Sequence, residues 1–509
     1  MLLAPRLKPR VNQRHRIVHT FFVFCVPKPF FMRLRAISFL LLFSLCAKAQ
    51  DKIGPSLELG MGLTSGIYTP FWLRANQYGA VPTKESYGTA AIALSDFVQV
   101  NKRYSWGYGV RGLVNLTETR ADVLLQEAYL KGKMGIFELQ AGRKKQIQGL
   151  ADSTLSSGSF IWSGNALPMP MINLVVNDYW APTFVNDVVG FKGNFAHGWF
   201  GNQRSDVADF YLHQKSFYGR LGKPNWLIKF YGGFNHQVQW GGTLKYADPG
   251  NFSAKNGKIA SSLKDYLYII TGQSMNVVGG DTATYGINDG WNRLGNHLGT
   301  VDVGMEVDWN KAKLFFYRQS IYEDGSLYYG NNITDGLHGI SFSRKSDQGI
   351  TKVVVEYLNT TSQGGSVFNN SDVNRGLDNY FNNAVYREGW TYADHGIGTP
   401  MMTLDSETDL TNTDFIAYDN NRVESFYVGI EAKLGENSFL LRGSLSNSIG
   451  WFGIEHIPVK KQYSVGLQWQ RPVQLMGYNA QLKASVGADK GVWKPDVIGG
   501  NVSLVLPLN

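Results

Sequence analysis

The sequence predicts an all-β protein that forms a transmembrane antiparallel β-barrel. Three observations lead to this fold class: segments of alternating polarity recur along the chain, an export signal precedes them, and the composition combines many glycine and aromatic residues with little charge. Of the 509 residues, 57 are glycine, 13% are aromatic and 17% are charged, and the mean hydropathy is −0.19. A barrel has such a near-neutral average because alternate residues face lipid and water.

The amino terminus has the pattern of a secretory signal peptide. A basic segment begins at Met32, an apolar run of eleven residues follows, and a small-x-small cleavage site ends at Ala49. We therefore predict a leader at residues 1–49, with the signal peptide at 32–49, and a barrel at 50–509. The segment before Met32 is atypical of a signal peptide, so we interpret it as an over-extended reading frame. The alternative is a long basic leader.

Cleavage after this leader would change the charge balance. Residues 1–49 hold nine Lys or Arg and no acidic residue, which leaves 40 basic and 40 acidic residues in the mature chain. A net charge of zero does not favour a nucleic-acid partner. Both cysteines, Cys25 and Cys46, lie in the same segment, so no disulfide framework is expected.

Alternation is clearest at residues 301–309. The odd positions, from Val301 to Trp309, form a bulky apolar face, and the even positions, Asp302, Gly304, Glu306 and Asp308, form an acidic one. The same pattern recurs at 108–116, 137–141, 226–231, 352–357, 426–434, 463–470 and 481–489. A soluble β-sandwich or propeller would explain the alternation, but not so many charged faces opposite uniformly bulky ones. No later stretch has 18 consecutive apolar residues, so strands are expected to cross the membrane.

The connections between these segments are of two kinds. Some are tight, as at 434–437, and others are long and polar, as at 360–403, which predicts short turns at one rim and long loops at the other. At roughly 25 residues per strand and connection, the mature chain holds about 16–18 strands. Residues 261–270 have helical spacing after a serine N-cap, which predicts a helix on a rim. The two prolines in 163–170 exclude a central strand and indicate an ordered loop in the mouth.

The sequence contains no recognisable catalytic or metal motif. No nucleophile elbow, phosphate loop, paired cysteine ligands or HExxH occurs. Asp206, Asp209 and His213 have metal-like spacing, but their apolar neighbours favour a turn and strand entry. His395 has no companion that the sequence can place. We expect no catalytic residue, no metal and no cofactor, with an outer-membrane hydrolase as the alternative.

Several segments of the chain resemble the Wzi family of capsule-assembly outer-membrane lectins, in the form found in Bacteroidetes. The segments that carry the resemblance are 125–130, 140–143, 164–170, 212–215, 239–242, 263–267, 292–297, 317–319, 335–337 and 396–400. The resemblance implies an eighteen-stranded barrel whose lumen is occupied by inward loops and short helices. It also implies a role in holding polysaccharide on the cell, and it supplies no active site.

Three loops combine aromatic rings with amide and charged side chains, which is the composition that binds sugars. These loops are 235–242, 290–293 and 386–392. The candidate carbohydrate contacts are Trp240, Trp390, Tyr392, Asn292, Arg293 and Arg318. Their alternative roles are as interfacial aromatics and, for Asn292, Arg293 and Arg318, as residues that line the lumen.

The sequence therefore predicts a protein of the Gram-negative outer membrane that binds and anchors capsular or exported polysaccharide. Its expected partners are the polysaccharide and membrane lipid, and it is expected to be a monomer. Contacts repeated along a polymer would raise avidity. The alternative function is a porin or oligosaccharide diffusion channel, because the same alternation would line an open pore.

Overall fold

The computed structural model describes most of the chain after the predicted leader. The described ranges are 54–101, 103–282, 284–323, 330–367, 376–408, 417–475 and 477–508. The signal peptide, the cleavage site and the start at Met32 lie outside the described residues, so they stay predictions. Part of the long loop at 360–403 also lies outside them.

Eighteen strands form one closed antiparallel sheet. The first nine are β1 (Ser56–Thr64), β2 (Tyr87–Gln99), β3 (Tyr104–Leu116), β4 (Ala121–Met134), β5 (Phe137–Arg143), β6 (Pro170–Trp180), β7 (Val189–Gly201), β8 (Phe210–Leu221) and β9 (Ile228–Trp240). The second nine are β10 (Asn296–Trp309), β11 (Ala312–Glu323), β12 (Gly336–Arg344), β13 (Gly349–Asn359), β14 (Arg422–Leu434), β15 (Asn437–Trp451), β16 (Ile454–Leu475), β17 (Tyr478–Gly491) and β18 (Val497–Pro507). Pairing of β1 with β18 closes the barrel, which confirms the predicted fold class.

The described helices are short and lie in the connections. They are α1 (Phe71–Arg74), α2 (Leu263–Thr271), α3 (Met275–Val278), α4 (Ile287–Trp291) and two 3-10 turns at Thr183–Val185 and Asp405–Glu407. None of the helices in the described ranges is long and apolar enough to cross a membrane. Two short ladders, Val207–Ala208 with Thr243–Leu244 and Thr391–Tyr392 with His395–Gly396, join loop segments.

The alternation in β10 separates the two faces of the wall as the sequence predicts. Val303 is 55% exposed on the outer face, whereas Asp302 is fully buried on the inner one. The carboxylate of Asp302 accepts hydrogen bonds from the Tyr218 hydroxyl at 2.7 Å and the Leu150 amide at 2.8 Å. Because the polar face meets hydrogen-bond donors in the lumen and the apolar face is exposed on the outside, the register of this strand is fixed.

The long connections all lie at one rim of the barrel. At the rim where β1 begins and β18 ends, the connections contain two to eight residues. The long connections, at 65–86, 144–169, 241–295 and 360–421, all lie at the other rim. This asymmetry is the outer-membrane pattern, with the long loops on the outer side of the cell.

Three of the long loops enter the lumen and form a plug, which we define as the described residues of 65–86, 144–169 and 376–408. Their apolar side chains make one buried core with the inner wall. Within it, the rings of Phe160 and Phe381 stack at 5.1 Å, and Trp72 in α1 lies 5.0 Å from Tyr427 in β14. A Cβ at Gly466 would lie 2.7 Å from the Trp72 Cβ, so glycine permits the close approach of α1 to the wall. The predicted ordered loop is part of this plug as far as residue 169, and Pro170 begins β6.

Polar side chains of the wall hold the plug through its backbone. Glu356 in β13 accepts hydrogen bonds from the Ser157 amide at 2.7 Å and the Ser156 hydroxyl at 2.6 Å. Gln319 in β11 accepts one from the Phe160 amide at 2.8 Å. Loop backbone buried in the lumen needs such partners because unpaired amides are costly there.

Helix α2 begins after Ser262, whose side chain forms a reciprocal capping box with Asp265, so the predicted helix is confirmed. The prediction placed it on a rim, but it packs against the outer face of the wall. His297 lies an even number of residues from Val303 in β10, so both side chains point to the outer face. Val238 in β9 pairs with His297 and therefore also points outward. Trp240 lies two residues beyond Val238, on the same outer face, and its ring stacks on Tyr266 of α2 at 4.9 Å.

The segment 417–421 is tied to the plug and carries a buried carboxyl group. Asp419 lies in it, and burial, with a further contribution from the nearby Asp405, raises the pKa of Asp419 from 3.8 to about 7. Because the folded pKa exceeds the unfolded one, this group favours the folded state at low pH. That advantage is lost as the pH rises through about 7.

We therefore expect the plug to loosen by about 1–3 kcal/mol between about pH 5 and about pH 8. Hydrogen exchange of segment 376–408, corrected for the intrinsic rate, would measure this change. Asp419→Asn should remove the dependence, whereas Glu118→Gln, at an exposed carboxylate, should retain it. Equal protection of the wild-type segment at both pH values would contradict the prediction.

Candidate functional site at the long-loop rim

Three of the six predicted contact residues are buried aromatics. Trp390 is fully buried in the plug, and its carbonyl accepts a hydrogen bond from the Tyr418 hydroxyl at 2.9 Å. Tyr392 is 9% exposed and lies beneath the guanidinium of Arg143 at 5.5 Å. Trp240 is 4% exposed under α2. These rings pack the protein in this structure, so contact of any of them with sugar stays a prediction.

The other three residues lie outside the lumen. Arg293 follows α4 and donates from Nε to the Gly272 carbonyl at 2.8 Å, which ties it, together with the adjacent Asn292, to the helical segment on the outer wall. Arg318 pairs with Val303 and therefore shares its outward face, where it donates to the Ile333 carbonyl. The alternative that these residues line the lumen is wrong for this structure, and their contact with sugar stays a prediction.

The long-loop rim carries a group of charged and aromatic side chains from three loops. We call it the rim cluster and define it as Arg204, Ser205, Asp206, Tyr246, Arg387 and Glu388. Its centre is the buried Arg204, which makes two hydrogen bonds to the Asp206 carboxylate at 2.6 and 3.0 Å and a third to the Gly389 carbonyl at 2.9 Å. This guanidinium fixes the loop at 202–208 to the plug.

Two further contacts complete the rim cluster. The Glu388 carboxylate accepts from the Ser205 amide at 2.6 Å and from its hydroxyl at 2.7 Å. The guanidinium of Arg387 lies 3.5 Å from the centre of the Tyr246 ring, and the Tyr246 hydroxyl donates to the Val385 carbonyl at 2.9 Å. Ser205 is exposed and Tyr246, Arg387 and Glu388 are half-buried, so the cluster offers a polar and aromatic surface to the outside.

The charge state of the rim cluster is set by its ion pair. Burial alone would raise the pKa of Asp206, but hydrogen bonds and charge from Arg204, with backbone amides, hold it below its usual value. Asp206 is therefore ionised throughout the physiological range. It pairs with Arg204, and within the described residues no group of three or more His, Cys, Asp or Glu side chains is placed to hold a metal ion.

The rim cluster combines side chains of the kinds that contact hydroxylated ligands. Aromatic rings receive the C–H faces of sugars, and charged side chains hydrogen-bond hydroxyl groups more strongly than neutral ones do. The loop 386–392 was singled out from the sequence, but its half-buried, accessible members are Arg387 and Glu388, whereas Trp390 is fully buried. Tyr246 was missed because it stands alone in a polar segment, where nothing in the sequence signals its contact with Arg387.

The sequence matches the family described as Capsule assembly protein Wzi over residues 68–427. No curated protein matches it significantly. Among solved structures, OccK5 (OpdH) of Pseudomonas aeruginosa is similar, with a TM-score of 0.45 and 11% identity over 89% of this chain and 97% of that one. A BenF-like porin of Pseudomonas fluorescens Pf-5 has a TM-score of 0.40 and 10% identity over 89% and 98%. An anion-selective porin of Comamonas acidovorans has a TM-score of 0.36 and 9% identity over 89% and 98%.

Proposed function

The chain belongs to the capsule assembly protein Wzi family, and from this premise we propose that its barrel binds exported polysaccharide and anchors it at the cell surface. The family and the closed barrel place the protein in the outer membrane of a Gram-negative bacterium and in capsule assembly. They also suggest a non-enzymatic role. The proposal concerns the finer step, which is lectin-like binding of the polymer at the long-loop rim.

The observation that carries the proposal is the plug. A barrel of this strand number leaves an aqueous channel when its interior is empty. Here the described loops of the plug share one apolar core with the wall, and their backbone is hydrogen-bonded to wall side chains. This arrangement favours a binding role over the diffusion channel, and the rim cluster offers the surface for it.

Deleting the gene tests the anchoring role on whole cells. We expect the total amount of polysaccharide to stay the same while polymer moves from the cell surface to the medium. The measurement is polymer in the cell and medium fractions, together with its chain length. Unchanged attachment with slower uptake of a small solute would indicate a channel instead, and longer polymer in the deletion strain would indicate a hydrolase.

Replacing Tyr246 and Arg387 with alanine tests the rim cluster itself. We expect each site to lose about 1 kcal/mol of binding to the polymer, and the loss is multiplied where many sites hold one chain. Retention of polysaccharide on cells that express the variant at wild-type level is the readout. Lys264→Ala, on the exposed face of α2, is the matched control. If the rim variant retains as much polysaccharide as the wild type, the rim cluster is not the binding surface.

A further inference from the structure

A polar chamber lies inside the barrel between α1, the loop after it and the wall. Its volume is about 410 Å³. Eight neighbouring strands, β15 to β18 and β1 to β4, form the wall, since β18 pairs with β1. Helix α1 contributes Trp72, and the loop after it contributes Asn76, Gln77 and Tyr78. The chamber is separate from the rim cluster, because α1 and its loop lie above it.

Cationic side chains dominate the chamber. Arg111, Lys145, Arg442 and Lys483 line it, against Glu58 as the one carboxylate among its described lining residues. Glu58 accepts from Arg111 at 2.6 Å, and Lys145 lies 3.6 Å from Glu127. Within the described part of the chain, neither Arg442 nor Lys483 has a carboxylate within 4.0 Å. Two positive charges therefore face the chamber without an ion-pair partner.

Buried polar atoms around the chamber include both donors and acceptors without a partner. Among the described residues, Nε of Arg442 and Nε of Arg111 are buried donors with no acceptor. The amide oxygens of Gln126 and Asn76 are buried acceptors with no donor. Such groups are costly unless a ligand or solvent satisfies them. An anion matches the guanidinium groups, and hydroxyl groups match the amide oxygens.

Within the described residues, the topology covers this chamber from the long-loop rim and not from the periplasmic rim. The plug enters from the long-loop rim and covers the chamber from above. At the opposite rim the connections contain only two to eight residues. Such turns are too short to fold across a barrel of eighteen strands.

We propose that this chamber is a periplasm-facing site for a small hydroxylated anion, of the class of acidic sugars and sugar phosphates. Arg442 and Lys483 bind the anionic group, and Gln126 and Asn76 accept hydroxyl hydrogen bonds. The site is independent of polymer binding at the rim, because α1 and its loop separate the two.

Calorimetry on the purified full-length barrel in detergent tests the site with three probes: digalacturonate, glucose 6-phosphate and maltose. We expect at least one anionic probe to bind about tenfold or more tightly than the neutral maltose. Preference for digalacturonate identifies an acidic sugar, and preference for glucose 6-phosphate identifies a sugar phosphate. Binding should weaken as salt is raised, since charge pairing contributes to it.

The double variant Arg442→Gln/Lys483→Gln should lose about tenfold or more in affinity for the anionic probe. Lys264→Gln on the outer helix should bind as the wild type does, and Arg442→Lys, which keeps the charge but not the planar fork, should bind with intermediate affinity. Heat-modifiable electrophoretic mobility would verify that each variant is folded. Equal binding of anionic and neutral probes, unchanged affinity in the double variant, or no binding at about 10 mM probe would overturn the proposal.

Discussion

Replacing Glu356 with alanine is expected to release the plug and turn a closed barrel into a conducting one. This buried carboxylate accepts three hydrogen bonds, from the Ser156 hydroxyl, the Ser157 amide and the Tyr317 hydroxyl, all between 2.6 and 2.7 Å. Bonds to a charged group contribute about 1.5–3 kcal/mol each, and the donors left unpaired in the lumen add their desolvation cost.

Single-channel recording in planar bilayers measures the outcome. The wild-type barrel should show a nearly silent baseline, and Glu356→Ala should show long openings of large conductance, because an unplugged barrel of this size encloses water. Glu356→Gln keeps one acceptor oxygen and should open less often. Glu431→Ala, on the neighbouring strand β14, is the matched control.

A wild-type barrel with a large steady conductance would contradict the plugged lumen and favour the porin alternative. Conductance in Glu356→Ala that equals the wild-type baseline would show that the remaining contacts hold the plug without this carboxylate. Heat-modifiable mobility of the variant separates both outcomes from simple misfolding.

The second large effect is expected at Asp206. Asp206→Ala leaves the buried Arg204 guanidinium with the longer contact to Glu388, 3.5 Å from its Nε, and losing one partner of a buried ion pair costs up to about 3–5 kcal/mol. Arg204 also binds the Gly389 carbonyl and lies 5.0 Å from the centre of the Phe210 ring. Its movement should therefore detach the loop at 202–208 from the plug and disorganise the rim cluster.

Hydrogen exchange of 202–208 and 386–389 should rise in Asp206→Ala, and less polymer should stay on the cells that carry it. Glu118→Ala, at an exposed carboxylate, is the matched control. The double variant Arg204→Met/Asp206→Leu removes both charges and should recover protection of the loops. Hydrogen exchange in Asp206→Ala that equals the wild-type rate would refute the structural role of the ion pair. Normal polymer retention by a variant with a disordered rim would show that the rim cluster is not the binding surface.

Much of the barrel could be predicted from the sequence because the membrane acts on each strand separately. Lipid on one face and polar groups on the other impose alternation on every strand, as at 301–309, without reference to distant residues. The helix after Ser262 was predictable for the same reason, since its capping box and apolar spacing are local. Proline similarly excluded a central strand at 163–169, while Pro170 is the first residue of β6.

The candidate contacts were less predictable because burial depends on partners far along the chain. Trp390 and Tyr392 lie in a loop that would be exposed in an open barrel, and the contact of this loop with 144–169 buries them. Trp240 is buried by α2, which sequence reasoning had placed on a rim. The rim cluster likewise brings together residues as far apart in sequence as Arg204 and Glu388, and no local sequence pattern predicts their contact.

The sequence by itself determined the strand pattern, the presence of long connections at one rim, and the family. Only the tertiary structure decided which loops enter the lumen and which face each side chain takes. Beside a plug, the inner wall contacts an apolar core as well as polar groups, so strands such as β11 carry large residues on both faces. The orientation of Arg318 therefore became clear only from its pairing with Val303, because alternation alone gives two equivalent registers.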